Sequence, residues 1–224
     1  MSERRTENVE DYLKTIYQLT GVFQRASTNQ VAEALRVTPA SVTGMIQKLA
    51  GQDPPLVEYH KHRGVALTPD GEKIALEVLR HHRLMELFLQ EVLGYNWDEV
   101  HAEADRLEHA ISEELEERMA EMLGYPTHDP HGEPIPTREL QLPPPVTVRM
   151  SDLEAGQMAI VQQIGNTQPA FLRYLSSIGM APRTRFTVLE VSPFDFNLRV
   201  QLDSRPEPLV LGLRVTQHIF VEVL

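Results

Sequence analysis

Residues 27–67 read STNQVAEALRVTPASVTGMIQKLAGQDPPLVEYHKHRGVAL, and this stretch decides the fold. Ser27 or Thr28 can cap a short helix by accepting amide N–H groups that its first turn leaves open. That helix turns Val31, Ala34 and Leu35 inward. Arg36 and Val37 leave only a tight connection before Thr38-Pro39 restarts a helix. Threonine caps, and proline's fixed φ and missing N–H suit the first helical position. The spacing predicts this third helix over 39–50, with Val42, Met45, Ile46 and Leu49 inward and Gly51 as its stop. Two short strands follow, Leu56–Tyr59 and Val65–Leu67, joined by a turn through His60, Lys61, His62, Arg63 and Gly64. Upstream, Val9, Tyr12, Leu13, Ile16 and Tyr17 recur at helical spacing over 7–19. Downstream, Thr68-Pro69 repeats the cap-plus-proline signal and opens a long helix to about residue 93. Helix, short helix, tight turn, helix and β-hairpin is the order of a winged helix-turn-helix.

The exposed face of the third helix suits a DNA groove. It offers Ala40, Ser41, Thr43, Gly44, Gln47 and Lys48, all small or polar, beside Pro39. Thr38 and Ser41 can donate to phosphate, Gln47 can reach a base edge, and Pro39 and Ala40 can touch thymine methyls. Lys48 on the helix and Arg63 on the hairpin supply positive charge for the backbone. Few long base-reading side chains are present, which leaves room for shape readout.

The rest of the chain changes character twice. Residues 96–123 are predicted as one helix capped by Asn96, with Val100, Ala104, Leu107, Ile111, Leu115 and Met122 inward. Residues 124–149 hold seven of the sixteen prolines and read as a linker. Beyond it the period falls to two, in Met158–Ile164, Phe186–Val188, Leu198–Leu202, Leu209–Leu211 and Ile219–Val223, with a helical turn at 169–178. Short alternating strands of this kind read as a small β-barrel. The fold class expected is α+β and multidomain: a winged helix-turn-helix over 1–72, a helical domain over 73–140, a Pro-rich linker over 141–149 and a small barrel over 150–224.

Composition limits the chemistry. There are 224 residues and no cysteine, so disulfides, thiolate nucleophiles and thiolate metal sites are excluded. No apolar run approaches a membrane span, and MSERRTENVEDY lacks an apolar signal core, so a cytoplasmic protein is expected. The net charge of −11 looks wrong for a DNA binder until it is divided. Residues 1–80 carry 10 basic and 10 acidic residues, residues 143–224 carry 7 and 7, and residues 81–142 carry 4 and 15. The excess therefore sits in the middle third, together with His81, His82, His101 and His109.

Within that third, His82 and Glu86 are four residues apart, so both leave one helix face. His101, Asp105, Glu108 and His109 fall at i, i+4, i+7 and i+8, again one face of a continuous helix. Carboxylates and imidazoles without sulfur suit manganese, ferrous iron or zinc, and the alternative is a solvated acidic face. The pattern is not HExxH, and no nucleophile or oxyanion donor accompanies it, so an enzyme is not expected. A rival reading keeps the winged helix but assigns sensing to a small molecule, with the cluster structural. A metal-dependent hydrolase with an accessory DNA-binding domain ranks below it.

The segments VEDYLKTIYQL (9–19), VAEALRVTPASVTGMIQKL (31–49), RGVALTPDGEKIA (63–75), HRLMELFL (82–89), HAEADRLEHAIS (101–112) and PHGEPIP (130–136) resemble the diphtheria-toxin-repressor and manganese-transport-regulator family. The last segment of the chain resembles the SH3-like (FeoA-like) domain of its longer members. The resemblance implies a homodimeric, metal-dependent transcriptional regulator of double-stranded operator DNA, a repressor of metal-uptake genes, without a small-molecule substrate or membrane partner. It implies two metal sites per subunit: Asp11, Asp105, Glu108 and His109 in one, His82, Glu86 and His101 in the other. His82 can also serve the first. Thr167 and Ala170 fall where some members take ligands from the SH3-like domain, and Gln168 or Asp152 could stand in for them. Lys14 falls where short manganese-type members carry a carboxylate, so no adjacent pair of ions is expected there. Iron-type members carry methionine and cysteine where this chain has Asp11 and Asp105. The harder oxygen ligands rank Mn2+ first and Fe2+ second.

Overall fold

The computed structural model describes residues 7–21 and 24–224, so the first half of the N-terminal stretch read above for a signal core, residues 1–6, lies outside the described residues. The chain divides into two compact units. The first runs to His82 and also takes in Glu108–Ile111 and Pro136–Gln141. The second holds Arg83–Leu107, Ser112–Ile135 and Leu142–Leu224.

The first unit is the winged helix. Its elements are α1 (Glu7–Thr20), α2 (Thr28–Leu35), α3 (Pro39–Ala50), β1 (Val57–His60) and β2 (Gly64–Leu67), followed by the start of α4 (Pro69–Glu91). Ser27 caps α2 with a reciprocal box, accepting from Gln30 N–H while the Gln30 side chain accepts from Ser27 N–H. Arg36 closes the helix in a left-handed conformation (φ 54°). Thr38 caps α3 by accepting from Ser41 N–H, and Pro39 occupies the first turn. Burial in α2 differs by two residues from the expectation: Val31 and Ala32 are buried, while Ala34 is exposed. The inner face of α3 is Val42, Ile46 and Leu49, all fully buried with Leu13, Ile16, Val31 and Val65. Each such side chain contributes about 1.5–3 kcal/mol through apolar burial. The core therefore grips α3 from one side and leaves its other side outward. β1 and β2 pair antiparallel, with His60 opposite Gly64.

The rest of the chain departs from the sequence reading in three places. The single helix expected over 96–123 is broken into α5 (Val100–Leu107), a 3-10 turn (Glu108–Ala110) and α6 (Glu113–Met122). Ser112 restarts the helix by accepting from Leu115 N–H, ahead of Glu113, Glu114 and Glu116, whose charges suit a helix N-terminus. The new register buries Met119 and Ala120 and leaves Leu115 and Met122 exposed. His101 and Asp105 thus belong to α5, while Glu108 and His109 sit in the turn, so the four do not share one continuous helix face.

The proline-rich stretch is only partly linker. His128 and Pro134 bridge antiparallel across a tight loop, and Asp129 Oδ1 accepts from both His131 N–H and Glu133 N–H. The C-terminal sheet is the third departure. It contains β3 (Met158–Ile164), β4 (Arg185–Val191), β5 (Leu198–Leu202), β6 (Leu209–Leu211) and β7 (Ile219–Val223), with α7 (Pro169–Ile178) and α8 (Leu213–Thr216). Its order, β6-β5-β4-β3-β7, leaves the sheet open rather than closed as a barrel. The outer edge of β7 is taken instead by residues 148–149: Arg149 bridges Phe220, and Val221 N–H donates to Val148 O. An edge so paired has no need to close on the three-residue β6. Its core is Ala159, Val161, Ile164, Leu172, Leu175, Phe186, Val188 and neighbours, a cluster separate from the winged-helix core. Among the described residues, no helix is long and apolar enough to cross a membrane.

Candidate metal centres and DNA-binding face

The outward side of α3 carries the residues expected to meet DNA. Thr38, Pro39, Ala40, Ser41, Gln47 and Lys48 are exposed, and Thr43 is half-buried. Thr43 Oγ1 donates to Pro39 O at 2.9 Å, so its hydroxyl hydrogen is engaged along its own helix. A Cβ on Gly44 would meet nothing within 4 Å, so this face is open to close approach. Arg63 is exposed on the wing, beside Lys61 and His62.

Four of the expected metal ligands meet in the first unit. Ligand atoms of Asp11, Glu108 and His109 lie within 4.8 Å of one another. Asp11 comes from α1, and the other two come from the 3-10 turn. His109 Nδ1 lies 2.7 Å from Glu10 Oε2, and Nε2 lies 3.1 Å from Asp11 Oδ1. A carboxylate holding one ring N–H leaves the other nitrogen's lone pair for a cation. Glu10 is therefore a supporting group that the sequence reading missed. Burial pushes the Asp11 carboxyl up from its ordinary value, against the pull of His109 and Lys14. Burial alone would lower His109, but its bond to Glu10 and the charges of Glu108 and Asp11 outweigh that and raise it.

Glu108 is fully buried with a cation already beside it. Lys14 Nζ donates to both of its oxygens, at 2.6 and 2.9 Å. His82 Nδ1 stands 2.5 Å from Oε2, so His82 belongs with this group in the first unit. The donor set, two carboxylates and an imidazole with a third carboxylate behind it, fits a hard or borderline divalent ion.

The remaining expected ligands lie in the second unit. Glu86 Oε1 is 2.9 Å from His101 Nδ1, and His101 Nε2 is 3.8 Å from Asp105 Oδ2. Asp105 is exposed on α5. Glu86 also meets a partner that the sequence reading passed over. Its Oε2 is 3.7 Å from His131 Nδ1, and ligand atoms of Glu86, Asp129 and His131 all lie within 4.8 Å. All three residues are buried. The loop places them: Asp129 folds back on the amides of His131 and Glu133, while Gly132, at φ +83°, turns the chain. Burial, then the charges of Glu86 and Glu133, push Asp129 well above the usual carboxylate range. Burial would lower His131, but Glu86 and Asp129 outweigh it and raise it to about 9. Arg83 donates to Pro134 O and pairs with Glu133, yet its Nε stays 3.9 Å from Asp129 Oδ2 and has no hydrogen-bond partner among the described residues. Buried acids held this close carry a repulsion that a divalent cation would relieve.

The lysine, the supporting glutamate and the winged helix are seen in a chain with known relatives. The sequence model for the iron-dependent repressor N-terminal DNA-binding domain matches residues 5–65. That for the iron-dependent repressor metal-binding and dimerisation domain matches 68–137, and that for the FeoA domain matches 148–223. The iron-dependent repressor IdeR of Mycobacterium leprae (strain TN) is 33% identical over 199 residues, covering 84% of this chain and 85% of that protein. The HTH-type transcriptional regulator MntR of Geobacillus thermodenitrificans (strain NG80-2) is 38% identical over 120 residues, covering 54% of this chain and 83% of that protein. A solved manganese-dependent transcriptional repressor in complex with manganese superposes with a TM-score of 0.86 at 38% identity, covering 96% of this chain and all of that one. ScaR with bound Zn2+ superposes with a TM-score of 0.79 at 31% identity, over 96% of this chain and 99% of that one. Three domain matches in order, together with a relative spanning most of the chain, identify it as a member of the iron-dependent (diphtheria-toxin) repressor family of metal-dependent transcriptional regulators.

Proposed function

We propose that this chain is a homodimeric repressor that binds double-stranded operator DNA when loaded with divalent metal, with Mn2+ ranked first and Fe2+ second. The observation that carries the reading is the Asp11–Glu108–His109 group. It joins α1, which packs in the DNA-binding core, to the turn beyond α5. A cation shared by the two ties the reading unit to the turn between the middle helices. Two recognition helices must sit about 34–36 Å apart to enter successive major grooves, so a ligand that fixes α1 selects the DNA-competent state. Without metal, Asp11 and Glu108 repel each other; with it, part of the acidic block is neutralised toward phosphate.

Two centres per subunit are proposed. The first uses Asp11, Glu108 and His109, with His82 beside Glu108. The second is built on Glu86, with Asp129 and His131 on one side and His101, next to Asp105, on the other. Oxygen-rich donors favour manganese, although the intrinsic affinity order lets zinc or cobalt compete. Similarity to relatives whose names specify iron, and to structures whose names specify manganese or zinc, supports metal control without ranking the metals. DNA is contacted through Thr38, Pro39, Ala40, Ser41, Thr43, Gln47 and Lys48, with Arg63 on phosphate. We place the domain limits at 72, 140 and 149 and the regulator in the cytoplasm.

The test is DNA binding by metal-stripped protein titrated with Mn2+, Fe2+ and Mg2+ at one salt concentration. The reading requires a large affinity gain with Mn2+ or Fe2+ and none with Mg2+. Binding that ignores metal would overturn it and return the cluster to a structural role.

A further inference from the structure

The second centre sits where the FeoA domain meets the helices, and the domain grips the backbone of its histidine. His131 O accepts from Ile164 N–H on β3 at 2.8 Å. The neighbouring Gly132 lies so close to β3 that a Cβ would stand 1.9 Å from Gln162 O. On the ring side, His131 Nε2 is 2.9 Å from Trp97 O. A carbonyl only accepts, so Nε2 carries the proton and Nδ1 faces Glu86. The Trp97 ring stacks on His131, with centroids 5.8 Å apart and planes 28° from parallel. Trp97 in turn packs against the FeoA core, and its indole N–H donates to Ser176 Oγ on α7 at 2.6 Å. One turn along α7, Arg173 pairs with Asp98 at 2.9 Å. Thus β3 holds the backbone of His131 while α7 holds the Trp97–Asp98 loop that fixes its ring.

We infer that Trp97 is a positioning residue for the second centre, and that docking of the FeoA domain through α7 and loading of that centre are one coupled equilibrium. This rests on the reading that Glu86, Asp129 and His131 hold a divalent cation. The domain sets the tautomer and angle of the His131 ring through that backbone bond and the Trp97–Asp98 loop, as supporting groups do around bound metals. By linkage, metal must stabilise the docked domain as much as docking strengthens metal binding.

The experiment uses the full chain, stripped and titrated with Mn2+ alone. Bound and free Mn2+ are counted by spin resonance, and the emission of Trp97, the only tryptophan, reports on the ring beside His131. Wild type should take up two ions, the second one quenching Trp97. Replacing both Arg173 and Ser176 with alanine removes the α7 contacts on an exposed surface. It should weaken the second ion about 10-fold, the lower end for supporting groups, and leave the first unchanged. Trp97→Phe keeps a ring and the backbone carbonyl but loses the indole N–H, and should weaken it less. Gly132→Ala, which forces the loop off β3, should weaken it most. Mn2+ should shield residues 141–149 from protease in wild type and fail to do so in the alanine pair. Unchanged second-ion affinity and protection in the alanine pair, with thermal unfolding intact, would overturn the coupling. If Glu86→Gln binds as many ions as wild type, the second centre itself is wrong and the coupling falls with it.

Discussion

The two acidic clusters are built from the same groups but differ in what neutralises them. In the first unit, Glu108 is fully buried, yet Lys14 bridges both of its oxygens and His82 stands against one. Asp11 in the same group remains partly open to solvent, with 44% of its side chain exposed. In the second unit, Glu86, Asp129 and His131 are all at most 7% exposed; the counter-charge there is the titratable His131 ring itself, raised to about 9, and Arg83 Nε stays 3.9 Å from Asp129. A site with its own ammonium and an open ligand can exist loaded or empty at modest cost, as an exchanging sensor requires. A closed site whose buried acids face each other costs more when empty and holds its ion more firmly once filled. Residue type alone therefore does not distinguish the two clusters; the fixed counter-charge and the path to water do.

If the two clusters serve separate functions, substitutions in each should separate DNA binding from stability. Asp11→Ala should abolish metal-stimulated DNA binding. Its loss of Mn2+ affinity at the first centre should exceed the roughly 100-fold at the upper end for a supporting group. Glu86→Gln should instead keep Mn2+-stimulated binding but lower the metal-loaded melting temperature. A ligand at 100 times its dissociation constant stabilises by about 2.7 kcal/mol, and that increment disappears with the second centre. Parallel DNA titrations and melting curves of the two variants check this. Equal losses of DNA binding in both would mean that the two centres act as one.

Much of this was legible in the sequence, and the failures have physical causes. Thr38-Pro39 and Thr68-Pro69 located helix starts because a cap and a proline constrain the backbone whatever surrounds them. The break after Leu107 was missed because apolar spacing runs through it. What interrupts the helix is the burial of Glu108 against Lys14, a contact 94 positions apart in the chain. Ser112 before three glutamates in the next four residues was the local signal available. His131 was missed for a different reason. It lies in a proline-rich loop, where no periodicity assigns a face, and only the fold of Asp129 onto the loop's amides brings it to Glu86. Glu10 could have been suspected, since it precedes Asp11 on the exposed side of an amphipathic helix, but its partner His109 is 99 positions away.

The fixed ammonium of Lys14 can be removed without replacing an expected metal ligand. Lys14→Met keeps the length of the side chain but leaves Glu108 without its ammonium. Breaking a buried pair by removing one partner costs about 3–5 kcal/mol, so the metal-free melting temperature should fall well below wild type. The ammonium also competes with an incoming cation for the Glu108 oxygens, so the same variant should bind its first Mn2+ more tightly. Chemical denaturation with chelator and calorimetry with Mn2+ would read the two effects in opposite directions. A variant that is destabilised and also binds Mn2+ more weakly would show that Lys14 shapes the site rather than competing for it.

The smallest effect is a pH dependence that belongs to the second cluster. In the metal-free protein His131 is raised to about 9 from an ordinary value of 6.5. The folded state therefore holds that proton more tightly than the unfolded chain, and stability contributed by the charged ring is complete below pH 6.5 and lost as pH rises through about 9. Asp129, also raised, has the same sign: its folded form favours the proton, so deprotonation on raising the pH destabilises. Metal reverses the direction, because the cation must displace the proton from the ligating nitrogen and so binds better as pH rises. The melting temperature in chelator should therefore fall between pH 6.5 and 8.5 while the increment gained from Mn2+ grows. Glu86→Gln removes the charge that raises His131 and should flatten the metal-free curve. The Lys14→Met variant, altered only in the first cluster, should keep the wild-type slope from a lower starting point. If Lys14→Met flattens the curve and Glu86→Gln does not, the titration belongs to the first cluster and the assignment of the two centres must be exchanged.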